Sequence, residues 1–200
     1  KEVTVVLAGE GGDELFAGYD NFKIMMLGHN FSKLLPGFLS HRLSPTVGRY
    51  FPENSNMKRA LNLLAASGVA EQYLNVISLF NENELRKLGD YQADGNLNNY
   101  FPDDAKLLNK LLYFGIKTWL PNDFLVKADR MTMAHAVEER VPILDHNIAE
   151  LAFAMPTRLK LKGLTGKYIF KKAMAGLVPD QIINRRKHGY NVPADYWLRH

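Results

Sequence analysis

The stretch V-T-V-V-L-A-G-E-G-G-D-E-L-F-A-G-Y, from Val3 to Tyr19, decides how the chain folds. It opens with a β-branched apolar run, Val3 to Leu7, of the kind that forms a parallel strand buried on both faces. Glycines follow, and after them the apolar positions have the spacing of a helix. Asp13 is suited to cap that helix. The stretch therefore predicts a strand, a glycine loop and a helix.

The loop between the predicted strand and helix is a candidate ligand site. Gly9, Gly11 and Gly12 permit a tight turn and the close approach of a ligand to the backbone. In open α/β sheets, ligands bind beyond the carboxyl ends of the strands, where a helix N-terminus offers free N–H groups. We therefore expect this loop at the edge of a binding cleft, with a positive φ at Gly11 or Gly12.

Carboxylates distinguish this loop from a simple phosphate loop. Glu10, Asp13 and Glu14 stand among the glycines, with neither a Walker Lys-Ser/Thr ending nor G-x-G-x-x-G spacing. Such carboxylates suit a Mg²⁺ ion that carries phosphates, or a base beside a metal ligand. A polar turn, with Asp13 as the cap and Glu14 in the first helical turn, explains the same residues. The spacing alone leaves both interpretations open.

Three stretches of the chain, in order, resemble signatures of the asparagine synthetase family. L-A-G-E-G-G-D-E-L-F-A-G-Y, ending at Tyr19, resembles the L-S-G-E-G-(S/G/A)-D-E-x-F-x-G-Y signature in the synthetase domain of the glutamine-dependent members. The others are L-P-N-D-F-L-V-K-A-D-R-M-T-M-A-H-A-V-E-E-R-V-P-I-L-D, from Leu120 to Asp145, and R-R-K-H-G-Y-N-V-P, from Arg185 to Pro193. The resemblance effectively spans the chain.

The resemblance implies an α/β fold class. We expect a fragment of an adenine-nucleotide-hydrolase-like (Rossmann-like) synthetase domain, mostly α-helical with one N-terminal parallel-type strand. The family's S-G-G-x-D-S adenylate-binding motif and the catalytic Cys of a glutaminase domain do not occur in these residues. We therefore interpret residues 1–200 as a single body, the C-terminal part of an asparagine synthetase-type domain. The N-terminal glutaminase domain and the ATP-binding half are missing from it.

The reaction that the resemblance implies is that of a carbon–nitrogen ligase. With ATP and Mg²⁺, the side-chain carboxylate of aspartate would become an acyl-adenylate, and ammonia derived from glutamine would attack it to give asparagine. The chain by itself is expected to be inactive. Two alternatives stay open: a related enzyme that acts on another carboxylate in envelope polysaccharide or peptide modification, and a non-catalytic helical module that binds an anionic partner.

The resemblance also implies roles for individual residues. Glu10 is the expected base that receives a proton from the attacking nitrogen, Asp13 the Mg²⁺ ligand, and Lys187 the residue that contacts the phosphates and stabilises the intermediate. Glu14 would receive the ammonium group of the amino acid. The other residues expected to bind substrate or nucleotide are Gly9, Gly11, Gly12, Asp123 and Arg186, with Asp129 as an alternative to Asp123.

The later signatures also have interpretations that involve no ligand. Asp123 and Lys127 have the spacing of a solvated ion pair on a helix, which we expect to begin at Asn122 or Asp123 after Pro121 and to run to about Val137. The basic run around Lys187 is equally typical of a surface loop. Asp145 is expected to cap the next helix. Further helices are predicted over Asn56–Ser67, Val69–Phe80, Asn81–Leu88 and Ala105–Trp119.

Composition limits the remaining possibilities. The chain is 46% hydrophobic and 23% charged, which suits one globular core, and a net charge of +4 is too small an excess to indicate nucleic-acid binding. The lack of Cys excludes disulfides, and no apolar run reaches the roughly 18 residues of a membrane span. We expect a cytoplasmic enzyme with no nucleic-acid or membrane partner, and a homodimer stays open.

Overall fold

The computed structural model describes residues 2–34, 50, 68–78, 80, 82–89, 97–185 and 194–199, and most of them are helical. Within these ranges, no helix has the length and apolar character needed to cross a membrane. The helix predicted over 56–67 lies outside the described residues. The α-helices are α1 (Gly12–Phe16), α2 (Asp20–Leu34), α3 (Val69–Ile77), α4 (Glu82–Leu88), α5 (Leu107–Phe114), α6 (Val126–Met133), α7 (His146–Ala154), α8 (Thr157–Lys160), α9 (Tyr168–Ala173), α10 (Asp180–Ile183) and α11 (Ala194–Arg199).

Two short strands, β1 (Val5–Leu7) and β2 (Glu138–Arg140), pair in parallel, with Val6 opposite Glu139. The pairing continues one residue beyond β1, where the Ala8 amide donates to the Arg140 carbonyl at 2.9 Å. A mostly helical α/β chain with an N-terminal parallel strand is thereby confirmed. The second strand was not predicted, because three residues reading Glu-Glu-Arg carry no strand pattern.

The expectation that β1 is buried on both faces is wrong for the described residues. Val5 is 40% exposed and Leu7 is 73% exposed. An apolar β-branched run is typical of a strand that has a neighbouring strand on each side and helices on both faces of the sheet. The described residues provide β1 with only one neighbouring strand, so much of its apolar surface stays open.

A continuous helical segment passes through Pro121, where the sequence predicted a break. A π-helix, Gly115–Leu125, joins α5 directly to α6, so neither Asn122 nor Asp123 is a helix cap. π-Helical turns bond i to i+5 and are wider than α-turns, which lets the helix accommodate a residue that lacks an N–H group. The Asn122 side chain donates back to the Thr118 carbonyl, from Nδ2, at 2.7 Å.

The second signature, Leu120 to Asp145, contains the end of this helical segment, β2 and the turn after β2. The last helical residue is Met133, short of Val137, because Ala136 turns the chain into β2 with a φ of 53°. After a 3₁₀ turn at Pro142–Leu144, the Asp145 carboxylate accepts a hydrogen bond from the Asn147 amide at 2.9 Å and begins α7. The prediction that Asp145 caps this helix is confirmed.

Two hydrophobic clusters hold α1 in place. The larger one joins α2, α3 and α5 and includes Ala17 directly after α1. The smaller one contains Leu15 and Phe16 of α1, with the Phe16 ring stacked on that of Phe170 at 5.3 Å. Since α1 and the residue directly after it contribute to the two clusters, the glycine loop before α1 is fixed relative to the helices on either side. The larger cluster is built chiefly from Phe22, Met25, Tyr73, Val76, Phe101, Leu108, Leu111, Leu112 and Phe114.

Candidate functional site

The glycine loop turns sharply between β1 and α1. Gly11 is the N-cap of α1 and has a φ of 83°, in the left-handed region that glycine adopts without strain. A Cβ atom there would overlap the side chain of Leu144, whereas one on Gly12 would lie 3.6 Å from Lys167 Nζ. The expectation that one loop glycine has positive φ is confirmed. The expectation that Asp13 caps the helix is wrong, because Gly11 occupies the cap and Asp13 lies inside the first turn.

Asp13 instead contacts a lysine far away in the sequence. Lys167 Nζ lies 3.0 Å from Asp13 Oδ1, and both side chains are only about a quarter exposed, at 27% and 22%. The backbone amide of Lys167 donates to the Phe16 carbonyl at 2.8 Å, which fixes the start of α9 against the end of α1. Lys167 itself has a φ of 53°. A non-glycine residue held in this region is strained and often belongs to a functional site.

Lys167 is a site residue that the sequence analysis missed. It follows Gly166, and a Cβ atom on Gly166 would overlap the backbone of Ala17. This close approach of two chain segments requires glycine. The Gly-Lys pair at the start of a helix was the available signal, but only the fold connects it with Asp13.

A cavity of about 950 Å³ opens beside this ion pair, within the usual size range of ligand pockets. Among its described lining residues, cations outnumber carboxylates four to two. Lys23 is paired with Asp20 at 2.7 Å and Lys167 with Asp13, which leaves the charges of Lys171 and Arg185 in excess. A cavity with this balance suits an anion such as a phosphate chain.

The third signature begins on the wall of this cavity. Arg185, its first residue, shares the lining with Asp13. Lys187 and Arg186 lie outside the described residues, so their approach to the glycine loop stays a prediction. Gly9 and Glu10 do not belong to the described lining. Of the three loop carboxylates, Asp13 is the one among the described lining residues.

Glu14 lies in the protein interior. Its side chain is 2% exposed, and its Oε1 accepts a hydrogen bond from the Tyr19 hydroxyl at 2.6 Å. Burial, and then the neighbouring Glu14 carboxylate, raise the pKa of Tyr19 far above its ordinary value, so the hydroxyl stays a donor. A substrate ammonium would have to reach this buried carboxylate, and its binding by Glu14 stays a prediction.

Glu10 lies next to Glu139 of β2. Burial raises the pKa of the Glu139 carboxyl, and so do the charge and hydrogen bonding of Glu10 and, more weakly, the charge of Asp129. The sequence analysis did not single out Glu139. It did single out Asp123, which forms an exposed ion pair with Lys127 at 3.2 Å on the π-helical segment and α6. This geometry is that of a solvated helix face.

The carboxylates at this site suit Mg²⁺ only if water and substrate phosphates supply most of its ligands. No group of three or more His, Asp or Glu among the described residues could hold a metal ion. Two carboxylates line the cavity, Asp13 and Asp20, and Asp20 is paired with Lys23. Mg²⁺ commonly binds through one or two carboxylates and takes its remaining ligands from water and substrate phosphates. The residues therefore fit an ion that arrives with a nucleotide, and Asp13 would hold it.

Comparison with known proteins identifies relatives of the chain. A family model described as asparagine synthase matches residues 1–200. The asparagine synthetase [glutamine-hydrolyzing] 1 of Bacillus subtilis is 35% identical over 207 residues, covering 100% of this chain and 32% of that protein. A putative asparagine synthetase [glutamine-hydrolyzing] of Mycobacterium bovis is 32% identical, covering 100% of this chain and 31% of that protein.

A third relative carries a different name. Amidase chyE of Penicillium rubens is 30% identical over 224 residues, covering 98% of this chain and 33% of that protein. The chain thus spans about a third of the length of the curated relatives it matches. No solved structure matches it at a significant level. Because the family model covers every residue, the chain belongs to the asparagine synthase family.

Proposed function

We propose that the chain forms part of the synthetase centre of an ATP-dependent amidotransferase that makes asparagine. Membership of the asparagine synthase family supports a ligase of the amidotransferase type. The observation that carries the proposal further is the Asp13–Lys167 ion pair, which lies at 3.0 Å on the wall of a cation-rich cavity next to the glycine loop.

The first half of the proposed reaction activates the side-chain carboxylate of aspartate. This carboxylate attacks the α-phosphorus of ATP, and pyrophosphate leaves as the acyl-adenylate forms. Lys167, Lys171 and Arg185 place positive charge where the phosphates would lie, and fixed charges there stabilise a departing pyrophosphate. Lys187 is proposed to join them. Mg²⁺ bound with the nucleotide and held by Asp13 would neutralise further phosphate charge.

The second half forms the amide. Ammonia derived from glutamine attacks the acyl carbon, AMP leaves with the electron pair of the broken C–O bond, and Glu10 receives a proton from the nitrogen. Glu10 stands at the carboxyl end of β1, where a parallel strand presents its loop to a ligand. Glutamine hydrolysis is assigned to the part of the protein outside this chain, and the cytoplasm is the proposed location.

The same centre could act on a different carboxylate. Amidase chyE, whose name does not specify asparagine synthesis, matches 98% of the chain, nearly as much as the synthetases do. This favours a related amide-forming enzyme with another acyl substrate as the second candidate. A non-catalytic module that binds an anionic partner is the third, since the cation excess of the cavity would suit it as well.

Isotope exchange in the complete protein separates these candidates. With Mg-ATP and labelled pyrophosphate, we expect label to enter ATP only when aspartate is present, and asparagine to form when glutamine or ammonia is added. Exchange that needs a different carboxylate from a test panel would move the assignment to the second candidate. No exchange with any carboxylate, in a protein that binds polyanions, would refute the synthetase. Residues 1–200 alone should bind Mg-ATP weakly.

A further inference from the structure

A pair of carboxylates lies beside the end of β1, on Glu10 and Glu139. The strand register places Glu139 opposite Val6, and Glu10 follows β1 after a short turn. Glu10 Oε2 and Glu139 Oε1 are both hidden from solvent, and no donor among the described residues forms a hydrogen bond with either atom. Buried carboxylate oxygens are normally satisfied, so two such oxygens at one place need an explanation.

The two carboxyl groups are close enough to hydrogen-bond to each other. Ionised carboxylates only accept hydrogen bonds, so the two groups can bond to each other only when one of them carries a proton. Without that proton, two like charges face each other in a poorly solvated place. A pair of this kind takes up a proton more readily than an isolated carboxylate does.

The charges around the carboxylate pair also favour its protonation. Glu10 and Asp129 of α6 are the charged groups that face Glu139. The strand neighbours Glu138 and Arg140 lie on the other face of β2, because successive side chains of a strand alternate. They form an exposed ion pair at 2.8 Å, so the guanidinium is engaged away from Glu139. Within the described residues, no cation is paired with either member of the carboxylate pair.

We propose that Glu139 is a positioning residue that makes Glu10 an effective base, the two carboxylates taking up one proton as a unit. The inference rests on the proposed function, in which Glu10 receives the proton of the attacking nitrogen. Nothing in the sequence alone distinguished Glu139 from Glu138 for this role. The distinction comes from the strand register, which turns Glu139 towards Glu10 and Glu138 towards solvent.

The proton balance of the step is simple. Before the transfer both carboxylates are ionised and the pair carries two negative charges. The nitrogen that has attacked the acyl carbon loses one proton, AMP leaves, and the pair then holds that proton between Glu10 and Glu139 with one negative charge. The proton returns to solvent after the amide has left. No oxidant, reductant or further reactant is needed.

Variants of the complete protein test this pair. In Glu139→Gln, removal of the second charge should weaken the base: kcat for amide formation should fall about tenfold, within the range of general-base effects. The acid limb of the kcat profile should move towards lower pH, because the second negative charge that opposes ionisation of the pair is gone. Exchange of pyrophosphate into ATP should stay within about twofold of wild type, since the pair acts in the amide step.

Two companion variants separate this role from a structural one. Glu138→Gln removes the adjacent exposed carboxylate and should leave the acid limb where it is. Glu139→Asp keeps the charge and should restore much of the wild-type profile. If the acid limb of Glu139→Gln coincides with that of wild type while exchange is normal, the inference is overturned and the synthetase stands.

A titration that needs no reaction keeps the inference testable if the proposed function fails. ¹³C NMR of the labelled Glu carboxyl groups in the complete protein should show one carboxyl resonance titrating above the ordinary Glu range. That titration should disappear in Glu139→Gln and persist in Glu138→Gln. If no resonance behaves in this way, the two groups do not share a proton and the inference is wrong.

Discussion

The Lys167 ammonium lies 3.0 Å from a carboxylate oxygen of Asp13, and this contact joins the start of α9 to the start of α1. The two residues belong to opposite ends of the chain, yet both line the same cavity. In the absence of a ligand the lysine neutralises the carboxylate. A bound nucleotide with its Mg²⁺ would offer each of them a new partner, the phosphates for Lys167 and the ion for Asp13.

Replacing Lys167 should therefore affect the reaction much more than the fold. In Lys167→Met we expect pyrophosphate exchange by the complete protein to fall about 100-fold, comparable with the loss of one fixed group that stabilises transition-state charge. The free energy of unfolding should fall by only about 1 kcal/mol, because a partly exposed ion pair contributes little. Exchange assays and urea denaturation measure the two effects.

Lys162→Met is the matched control. Lys162 precedes Lys167 by five residues, with its ammonium 4.7 Å from the Tyr168 ring centroid, but it is not among the described lining residues of the cavity. Its loss should leave exchange within about twofold of wild type. Equal effects of the two variants would show that Lys167 has no special role.

The two central glycines of the loop should differ in their tolerance of a side chain. Gly11→Ala should lower the free energy of unfolding by about 2–3 kcal/mol, because it adds left-handed strain and an overlap with Leu144. Gly12→Ala should cost less than about 1 kcal/mol, since the nearest atoms to its Cβ would be 3.6 Å away. Denaturant unfolding of both variants checks the difference.

A double variant identifies the cause of the Gly11 effect. Leu144→Ala removes the side chain that the new Cβ would overlap, so the Gly11→Ala cost should be smaller in the Leu144→Ala background. An unchanged cost there would assign the whole effect to the backbone conformation. Equal costs at Gly11 and Gly12 would contradict the geometry of the turn.

The sequence predicted what depends on local chemistry. The strand–loop–helix unit, the positive φ in the loop and the Asp145 cap all follow from residues within a few positions of each other. Features that depend on tertiary contacts were missed or wrong. Asp13 is a good cap in isolation, but Gly11 takes the cap and Lys167 takes the carboxylate. Pro121 normally ends a helix, yet here a π-helix carries the chain past it.

Glu10 and Glu139 show the same difference between local sequence and tertiary contacts. Glu10 was predicted from the resemblance of its loop to the family signature, whereas no role was predicted for Glu139, the second of two consecutive glutamates. Only the pairing of β2 with β1 determines which of the two faces Glu10. A strand of three charged residues gives no hydrophobic periodicity, so this pairing could not be read from the sequence.

The third signature predicts that Lys187 contacts the phosphates. In the complete protein, Lys187→Ala should reduce pyrophosphate exchange strongly, and Lys187→Arg should restore little of it. A guanidinium fork does not reproduce the compact charge of an ammonium at a phosphate. Arg185, two residues earlier, already lines the cavity, which supports this placement. Exchange that survives in Lys187→Ala would return the basic run to the role of a surface loop.

The buried ammonium of Lys160 should make the stability of the protein depend on pH. Lys160 ends α8 and is fully buried, with its Nζ donating to Asn109 Oδ1 at 2.9 Å and lying 5.1 Å from the Phe153 ring centroid. No carboxylate among the described residues forms an ion pair with it. Burial lowers the pKa of Lys160 from 10.5 to about 8. The folded state therefore holds this proton less tightly than the unfolded state does.

The pKa values of Lys160 in the unfolded and folded states, 10.5 and about 8, determine how stability changes with pH. Below pH 8 the lysine is charged in both states, and the folded protein bears the full cost of burying the charge, up to about 3 kcal/mol. Between pH 8 and 10.5 the folded state loses its proton first, so the free energy of unfolding should rise by about that amount relative to a protein without Lys160.

Urea unfolding at pH 7 and pH 10 should show this rise in wild type and its loss in Lys160→Met. The comparison is between the two pH values within each variant, because Lys160→Met also leaves the Asn109 carbonyl without its donor and thus shifts stability at every pH. Lys162→Met, which removes a lysine from an exposed hydrogen bond to Tyr168, should keep the rise. If Lys160→Met kept it as well, the buried ammonium would not be its source.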